Sequence, residues 1–231
     1  MNDLKIKQLF DHDSWTYTYL LWDEGTKNSI IIDPVFEQSE RDLSVIKKLG
    51  LNLLYIFETH VHADHITGAS NLKEKTKAKI CYGSKTGVDG ADIFFEDGYK
   101  LNLDNHEIFV IHTPGHTSGC VCYYVKGYIF TGDTLFIEGT GRTDFQEGSS
   151  NDIYDSVKNK IFKYPDETIV YPCHNYKGFL SSTIGYEKKF NPNVGNNVSK
   201  KQFLENERKK NRPYPKKFDT AVPANLKCGK T

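Results

Sequence analysis

The chain lacks what would commit it to a membrane, a nucleic acid or a disulfide scaffold. Among its 231 residues no hydrophobic run approaches membrane-spanning length. Residues 1–7 have neither the apolar core of a secretory signal nor the Arg-rich, acid-poor character of a transit peptide. Thirty Lys+Arg balance thirty Asp+Glu, so no basic excess draws in nucleic acid and there is no acidic tail. The five cysteines (81, 120, 122, 173 and 228) are odd in number and fall at no framework spacing. Cys120 and Cys122, on the same side of a strand, are read as small core residues in a reducing compartment, and the cytoplasm is the expected location.

The rest is ordinary globular patterning. Hydrophobic residues make up 38% and charged ones 26%, enough for one large core. Strands are predicted over 4–10, 16–22, 29–32, 53–57, 79–82, 99–103, 108–111, 120–125, 128–131 and 168–172, with Lys126-Gly127 as a hairpin turn. Helical spacing covers 36–49 and 66–75, then 151–162 with Ser150 as its cap, then 183–190 and a charged helix from Ser199 to about Lys210. No repeat or linker divides the chain, so a single domain over 1–231 is expected, with 183–231 as a helical and irregular extension.

Thr59-His60-Val61-His62-Ala63-Asp64-His65 packs three imidazoles and a carboxylate into seven residues. On a solvated turn they would repel one another on protonation; around a metal each lone pair gains a partner. The cluster follows an apolar strand and precedes a helix, the position where open α/β sheets place their sites. His60 and His62 alternate with Val61 and point the same way in an extended segment. Three more strands end in candidate ligands: His116 after Thr113-Pro114-Gly115, Asp133 after Gly132, and His174 after Cys173. Four strand ends meeting at one rim would account for all of them.

That ordered set, H-x-H-x-D-H, G-H-T, G-D and a late His, resembles the metallo-β-lactamase superfamily over about residues 4–229. The resemblance implies a four-layer αβ/βα sandwich with the site at one edge. Ala63 before Asp64, the run Gly139-Thr140-Gly141-Arg142-Thr143-Asp144-Phe145, His174-Asn175-Tyr176 and Val222-Pro223-Ala224-Asn225-Leu226-Lys227-Cys228-Gly229 are similar to its persulfide dioxygenase branch. Those enzymes oxidise the outer sulfur of glutathione persulfide with O2 to sulfite and release glutathione. The resemblance implies one iron(II) per chain on His60, His116 and Asp133. Two imidazoles and a carboxylate on one face of an octahedral ion leave positions open for O2 and a sulfur. His62, Asp64, His65 and His174 then become supporting groups or a vestigial second metal position. Members of the branch commonly carry Cys where Thr140 stands; that position is not a ligand, so the change is expected to tune activity rather than abolish it.

Arg142 and Tyr176 are the expected contacts to the bound thiol, with His174 acting beside them. Arg142 offers a planar fork for a carboxylate, its plainer alternative being a salt bridge to Asp144. Tyr176 offers a hydroxyl to a sulfur or oxygen atom. The same ligands would also serve two zinc ions in a thioester hydrolase of the glyoxalase II kind, although about 57 residues after His174 are few for that family's helical substrate domain. A non-enzymatic metal- or sulfide-responsive binding protein is the third reading. A homodimer is expected by analogy alone.

Overall fold

Two adjacent strands explain the architecture. In β2 (Thr16–Asp23) and β3 (Asn28–Ile32), Tyr19, Leu21, Ile30 and Ile32 pack into one cluster while Leu20 and Ile31 pack into another. All six are buried. A sheet apolar on both faces needs cover on both. The structure, a computed structural model, describes residues 3–230, so Met1, Asn2 and Thr231 of the expected 1–231 domain lie outside the described residues.

The first sheet runs in order β1 (Leu4–Asp11), β2, β3, β4 (Asn52–Phe57), β5 (Lys79–Gly83) and β6 (Ile93–Phe95). The second runs from β7 (Lys100–Leu103) through β8 (His106–His112), β9 (Val121–Val125), β10 (Tyr128–Gly132) and β11 (Ile169–Pro172) to β12 (Ser182–Thr183). Pairing is antiparallel from β1 to β3 and from β7 to β10, and parallel from β3 to β6 and between β10 and β11. Between the sheets, aromatic rings meet across the gap: Phe57 and Tyr123 at 4.7 Å, Tyr19 and Phe130 at 5.0 Å. Offset and edge packing of this kind adds about 0.5–1.5 kcal/mol per pair beyond burial.

The outer faces are covered by helices. Ile46 of α1 (Ser39–Lys48) and Leu72 of α2 (Ala69–Thr76) pack on Ile31, Ile56 and Ile80 of the first sheet. Ile153 and Val157 of α3 (Ser150–Asn159), Ile184 of α4 (Ile184–Phe190) and Phe203 of α5 (Lys200–Lys209) pack on Ile129 and Val170 of the second. The chain then crosses back, and Val222 of α6 (Phe218–Asn225) and Cys228 join the cover of the first sheet. This is the αβ/βα four-layer sandwich.

Local corrections have local causes. Ser149, not Ser150, caps α3, its hydroxyl accepting from Asp152 N. Ser150 instead shares a hydrogen bond with Thr143. The helix expected from residue 66 begins at Ala69, because Phe36 N donates to Ile66 O and Thr67 pairs with Val35. The helix expected to run to Phe162 stops at Asn159 and tightens into a turn over Ile161–Lys163. The strand β6 and the helix α6, with Pro223 inside it, were not anticipated. The Lys126-Gly127 turn is as expected, both residues having positive φ in a two-residue hairpin.

Candidate metal centre

Five strands end at one edge and deliver the site. Asp33 follows β3, the segment from Glu58 to His65 follows β4, His116 follows β8, Asp133 follows β10, and Cys173 and His174 follow β11. His60, His62, His65, His116, Asp133 and His174 are all buried. His60, His116 and Asp133 each place a ligand atom within 4.8 Å of the others, and His62, Asp64 and His65 form a second such set. Two further sets cut across the sequence grouping: Asp33, His62 and Cys173, and Asp133, Cys173 and His174.

The hydrogen bonds fix which nitrogen of each imidazole is free. His116 Nδ1 donates to the Arg142 carbonyl at 2.7 Å and His174 Nδ1 to the Trp15 carbonyl at 2.9 Å. A carbonyl can only accept, so Nδ1 of both rings carries a proton and, in the neutral ring, Nε2 carries the lone pair. Thr59 Oγ1 donates to Asp33 Oδ2 (2.9 Å), so it accepts from His60 Nδ1 (2.9 Å). His62 Nε2 donates to Asp33 Oδ1 (3.1 Å), and His65 Nδ1 to Asp64 Oδ2 (3.0 Å). His62 Nδ1 and His65 Nε2 are buried without partners. Each of the five rings is thus anchored through one nitrogen and, when neutral, keeps the other free. At His62 burial pushes the pKa down but Asp33 overrides it, and at His174 Cys173, Asp133 and Asp64 do the same, so these two must lose a proton to ligate.

Unpaired buried lone pairs are costly, and a cation is the group that satisfies them together. The residues present fit a metal ion. Burial, then the nearby His62 and His116, holds His60 well below the usual imidazole range; burial also lowers His65. Neutral rings are what ligation requires. At Asp64 burial pushes up, but His65 and His174 override it and hold the carboxyl well below its usual range.

Backbone contacts brace the candidate ligands. Gly141 N donates to Asp133 O at 2.9 Å, and a Cβ on Gly141 would lie 2.3 Å from that oxygen and 3.0 Å from His116 Nδ1. Gly115, at φ +140°, lies where a Cβ would meet the backbone of Ile153 at 2.2 Å, so α3 sits directly against the His116 turn.

Above the ligands opens a cleft of about 450 Å³ whose floor includes Asp64, His116, Asp133 and His174. Tyr176 lies on its wall, its ring stacked parallel to His174 at 6.0 Å and 64% exposed. Arg142 lines it too, bound at Nε and Nη2 to both Asp144 oxygens (2.7 and 2.9 Å) and at Nη1 to Pro213 O (2.9 Å). Three of its five N–H donors are committed, and the Asp144 salt bridge is real. Thr140 is buried beside the cleft and its hydroxyl accepts from Asn193 Nδ2 at 3.3 Å.

The sequence profile of the Metallo-beta-lactamase superfamily matches residues 16–174. Human mitochondrial persulfide dioxygenase ETHE1 is 41% identical over 226 residues, covering 97% of this chain and 88% of that protein. The chain belongs to the persulfide dioxygenase family of the metallo-β-lactamase superfamily. The crystal structure of ETHE1 from Myxococcus xanthus superposes with a TM-score of 0.95 at 44% identity, covering 98% of this chain and 100% of that one. Glyoxylase B2 of Dictyostelium discoideum is 30% identical over 269 residues, covering 99% of this chain and 92% of that protein.

Several residues of this family member's site escaped sequence reading. Asp33, just after β3, turns its carboxylate under the loop at φ +51°, accepting from Thr59 N (2.7 Å), Thr59 Oγ1 and His62 Nε2. Glu58 accepts from Thr67 Oγ1 and lies 3.3 Å from His62 Nε2, and burial raises its carboxyl. Asn225, buried, ties the loop from the far end of the chain: its Oδ1 accepts from Thr67 N, and its Nδ2 donates to His62 O and His65 O at 2.8–2.9 Å. Arg212, Pro213 and Pro215 form a strap along the cleft. The signal for Asn225 was present in Val222-Pro223-Ala224-Asn225, but its partner 158 residues away was not. All five cysteines are free and buried. Burial pushes the Cys120 thiol up to about 12 and Cys122 to about 11, and Cys120 Sγ accepts from Thr117 N, as core residues do.

Proposed function

We infer that this enzyme oxidises the outer sulfur of a thiol persulfide with O2, giving sulfite and the free thiol, and that glutathione persulfide is its substrate. What carries the reading is the near-full-length likeness to persulfide dioxygenases, stronger than that to the glyoxylase, on a chain whose His60, His116 and Asp133 converge beneath an open cleft. We assign one iron(II) to those three residues. When bound, iron supplies the one-electron chemistry that O2 requires and that zinc lacks. The protein's part is to hold and orient. Arg142 O and Thr59 Oγ1 fix the His116 and His60 rings through their Nδ1 protons. His174 on the floor of the cleft and Tyr176 on its wall are assigned as hydrogen-bonding groups for substrate sulfur or oxygen. The two uncommitted donors of Arg142 are assigned to the carboxylate of the thiol carrier, and its Nη1 keeps the Pro213 strap in place.

His116→Ala and Asp133→Ala are expected to lose iron and oxygen uptake together, whereas His174→Ala keeps iron and loses rate. Full iron and full rate in His116→Ala would refute the ligand assignment. A second reading is favoured by the second donor set, since His62, Asp64, His65 and His174 retain free lone pairs or charge: a two-zinc thioester hydrolase. Turnover of S-lactoylglutathione by the zinc-loaded chain tests it.

We take residues 1–231 as one domain, a view supported by Asn225 and by the Arg142–Pro213 bond, which join the extension to the sandwich. Among the described residues no helix is long and apolar enough to cross a membrane. The cytoplasm is proposed as the compartment on the strength of five unpaired cysteines, and a homodimer by analogy, to be checked by light scattering.

A further inference from the structure

Trp15 holds a backbone conformation that its side chain disfavours. It ends the turn between β1 and β2 at φ +58°, and it is the one aromatic among the ten non-glycine residues with positive φ in the described residues. A left-handed residue in such a turn is ordinarily glycine or asparagine, because a Cβ there crowds the following carbonyl. Burial does not offset that strain, since Trp15 is 45% exposed. Nor do the bonds that tie the turn to the chain after β11. The Trp15 carbonyl accepts from His174 Nδ1 at 2.9 Å and Tyr17 N donates to Cys173 O at 2.7 Å, but these are backbone groups that any residue at position 15 would leave in place.

What the indole adds is contact with two rings. It meets Phe10 edge-on at 5.9 Å and Tyr176, tilted by 44°, at 6.0 Å. Tyr176 in turn lies within 7° of parallel to His174, also at 6.0 Å. These separations fall in the range where aromatic pairs attract. Trp15 and His174 are the aromatic neighbours of Tyr176 among the described residues. Little else confines that ring: Tyr176 is largely exposed, and Gly178 beyond it, at φ +81°, has nothing within 4 Å of where a Cβ would stand.

We propose that Trp15 is a positioning residue, whose indole holds the Tyr176 ring against His174 so that the phenol keeps its place on the cleft wall when a persulfide enters. The strained backbone at residue 15 serves that contact. The proposal rests on the assignment of Tyr176 to substrate, and one arm of its test is independent of any activity.

That arm uses the metal-free full-length chain carrying Trp22→Phe, in which Trp15 is the sole tryptophan. Adding Tyr176→Ala is expected to shift the Trp15 emission to the red and to make it more readily quenched by acrylamide. Unchanged emission and quenching overturn the proposal. The other arm is oxygen uptake by the iron-loaded enzyme with glutathione persulfide. Trp15→Gly relieves the backbone and keeps the carbonyl to His174, so iron content and Tm should hold. Its kcat/KM should fall about 2- to 12-fold, the factor that one hydrogen bond contributes, and Trp15→Phe should restore most of the loss. In a Tyr176→Phe background Trp15→Gly should cost nothing further. Wild-type kcat/KM in Trp15→Gly, a loss matched by a lower Tm, or losses that add in the double variant overturn the proposal. No uptake by the wild type contradicts the proposed reaction instead, and the emission arm then decides alone.

Discussion

Replacing Gly141 with alanine puts a methyl group where there is no room, against two proposed ligands at once. The new Cβ would stand 2.3 Å from the Asp133 carbonyl oxygen, 3.0 Å from His116 Nδ1 and 3.1 Å from Asp133 Cβ. The nearest atom is backbone and cannot swing aside, so restoring ordinary contact requires a displacement of roughly 1 Å, comparable to the misplacement that costs about 100-fold in rate. Overpacking of this kind costs about 1–3 kcal/mol, which in a domain of this size lowers Tm by about 2–12 °C. The same shift moves Arg142 O away from His116 Nδ1, so metal affinity should fall about 10–100-fold. Gly139, two residues earlier in the same loop, is the control: its Cβ would meet only the Phe136 side chain, at ordinary distances of 3.7 and 4.0 Å. Iron per chain, oxygen uptake and thermal melts of Gly141→Ala and Gly139→Ala should therefore separate cleanly. If Gly141→Ala retains full iron and wild-type rate, or if both variants fall equally, the loop does not brace the ligands.

Asn225→Ala removes three buried hydrogen bonds beneath the histidine loop and should cost about 2–4 kcal/mol, seen as a lower Tm together with weaker metal retention. Asp42 gives a pH signature. Burial raises its carboxyl from 3.8 to about 6 against the opposing charge of Arg41, and its Oδ2 is buried without a partner. The proton is thus bound more tightly in the folded state than in the unfolded chain. The associated stability is present below pH 3.8 and is lost as pH rises through about 6. At about 1.4 kcal/mol per unit, wild type should lose about 3 kcal/mol across that window relative to Asp42→Asn. Denaturant melts of both proteins at pH 4, 5, 6 and 7 measure the difference, and parallel curves would refute it.

Much of this candidate site could be read from spacing alone, because its proposed ligands lie at strand ends and strand ends are where apolar runs stop. His60, His62 and His65 sit within six residues of one another, and His116, Asp133 and His174 each follow an apolar stretch that became β8, β10 or β11. Contributions set by distant contacts were not legible. Asp33 acts through a left-handed backbone that turns its carboxylate under Thr59 and His62. Asn225 acts through partners some 160 residues away, and the helix carrying it contains Pro223, which argues against helix in any local reading. Arg142 was assigned to substrate, with a salt bridge as the alternative. The structure shows the salt bridge and adds the bond to Pro213, a partner no spacing rule could supply. The extension was seen as helical, but not that its strap between α5 and α6 forms one wall of the cleft.

The central claim is one redox-active iron serving a persulfide. The most direct measurement is oxygen uptake by anaerobically purified protein mixed with glutathione persulfide, with metal content read on the same sample. The account predicts about one iron per chain and uptake that depends on persulfide. About two zinc ions per chain with no uptake would contradict it, and S-lactoylglutathione would then be the substrate to try.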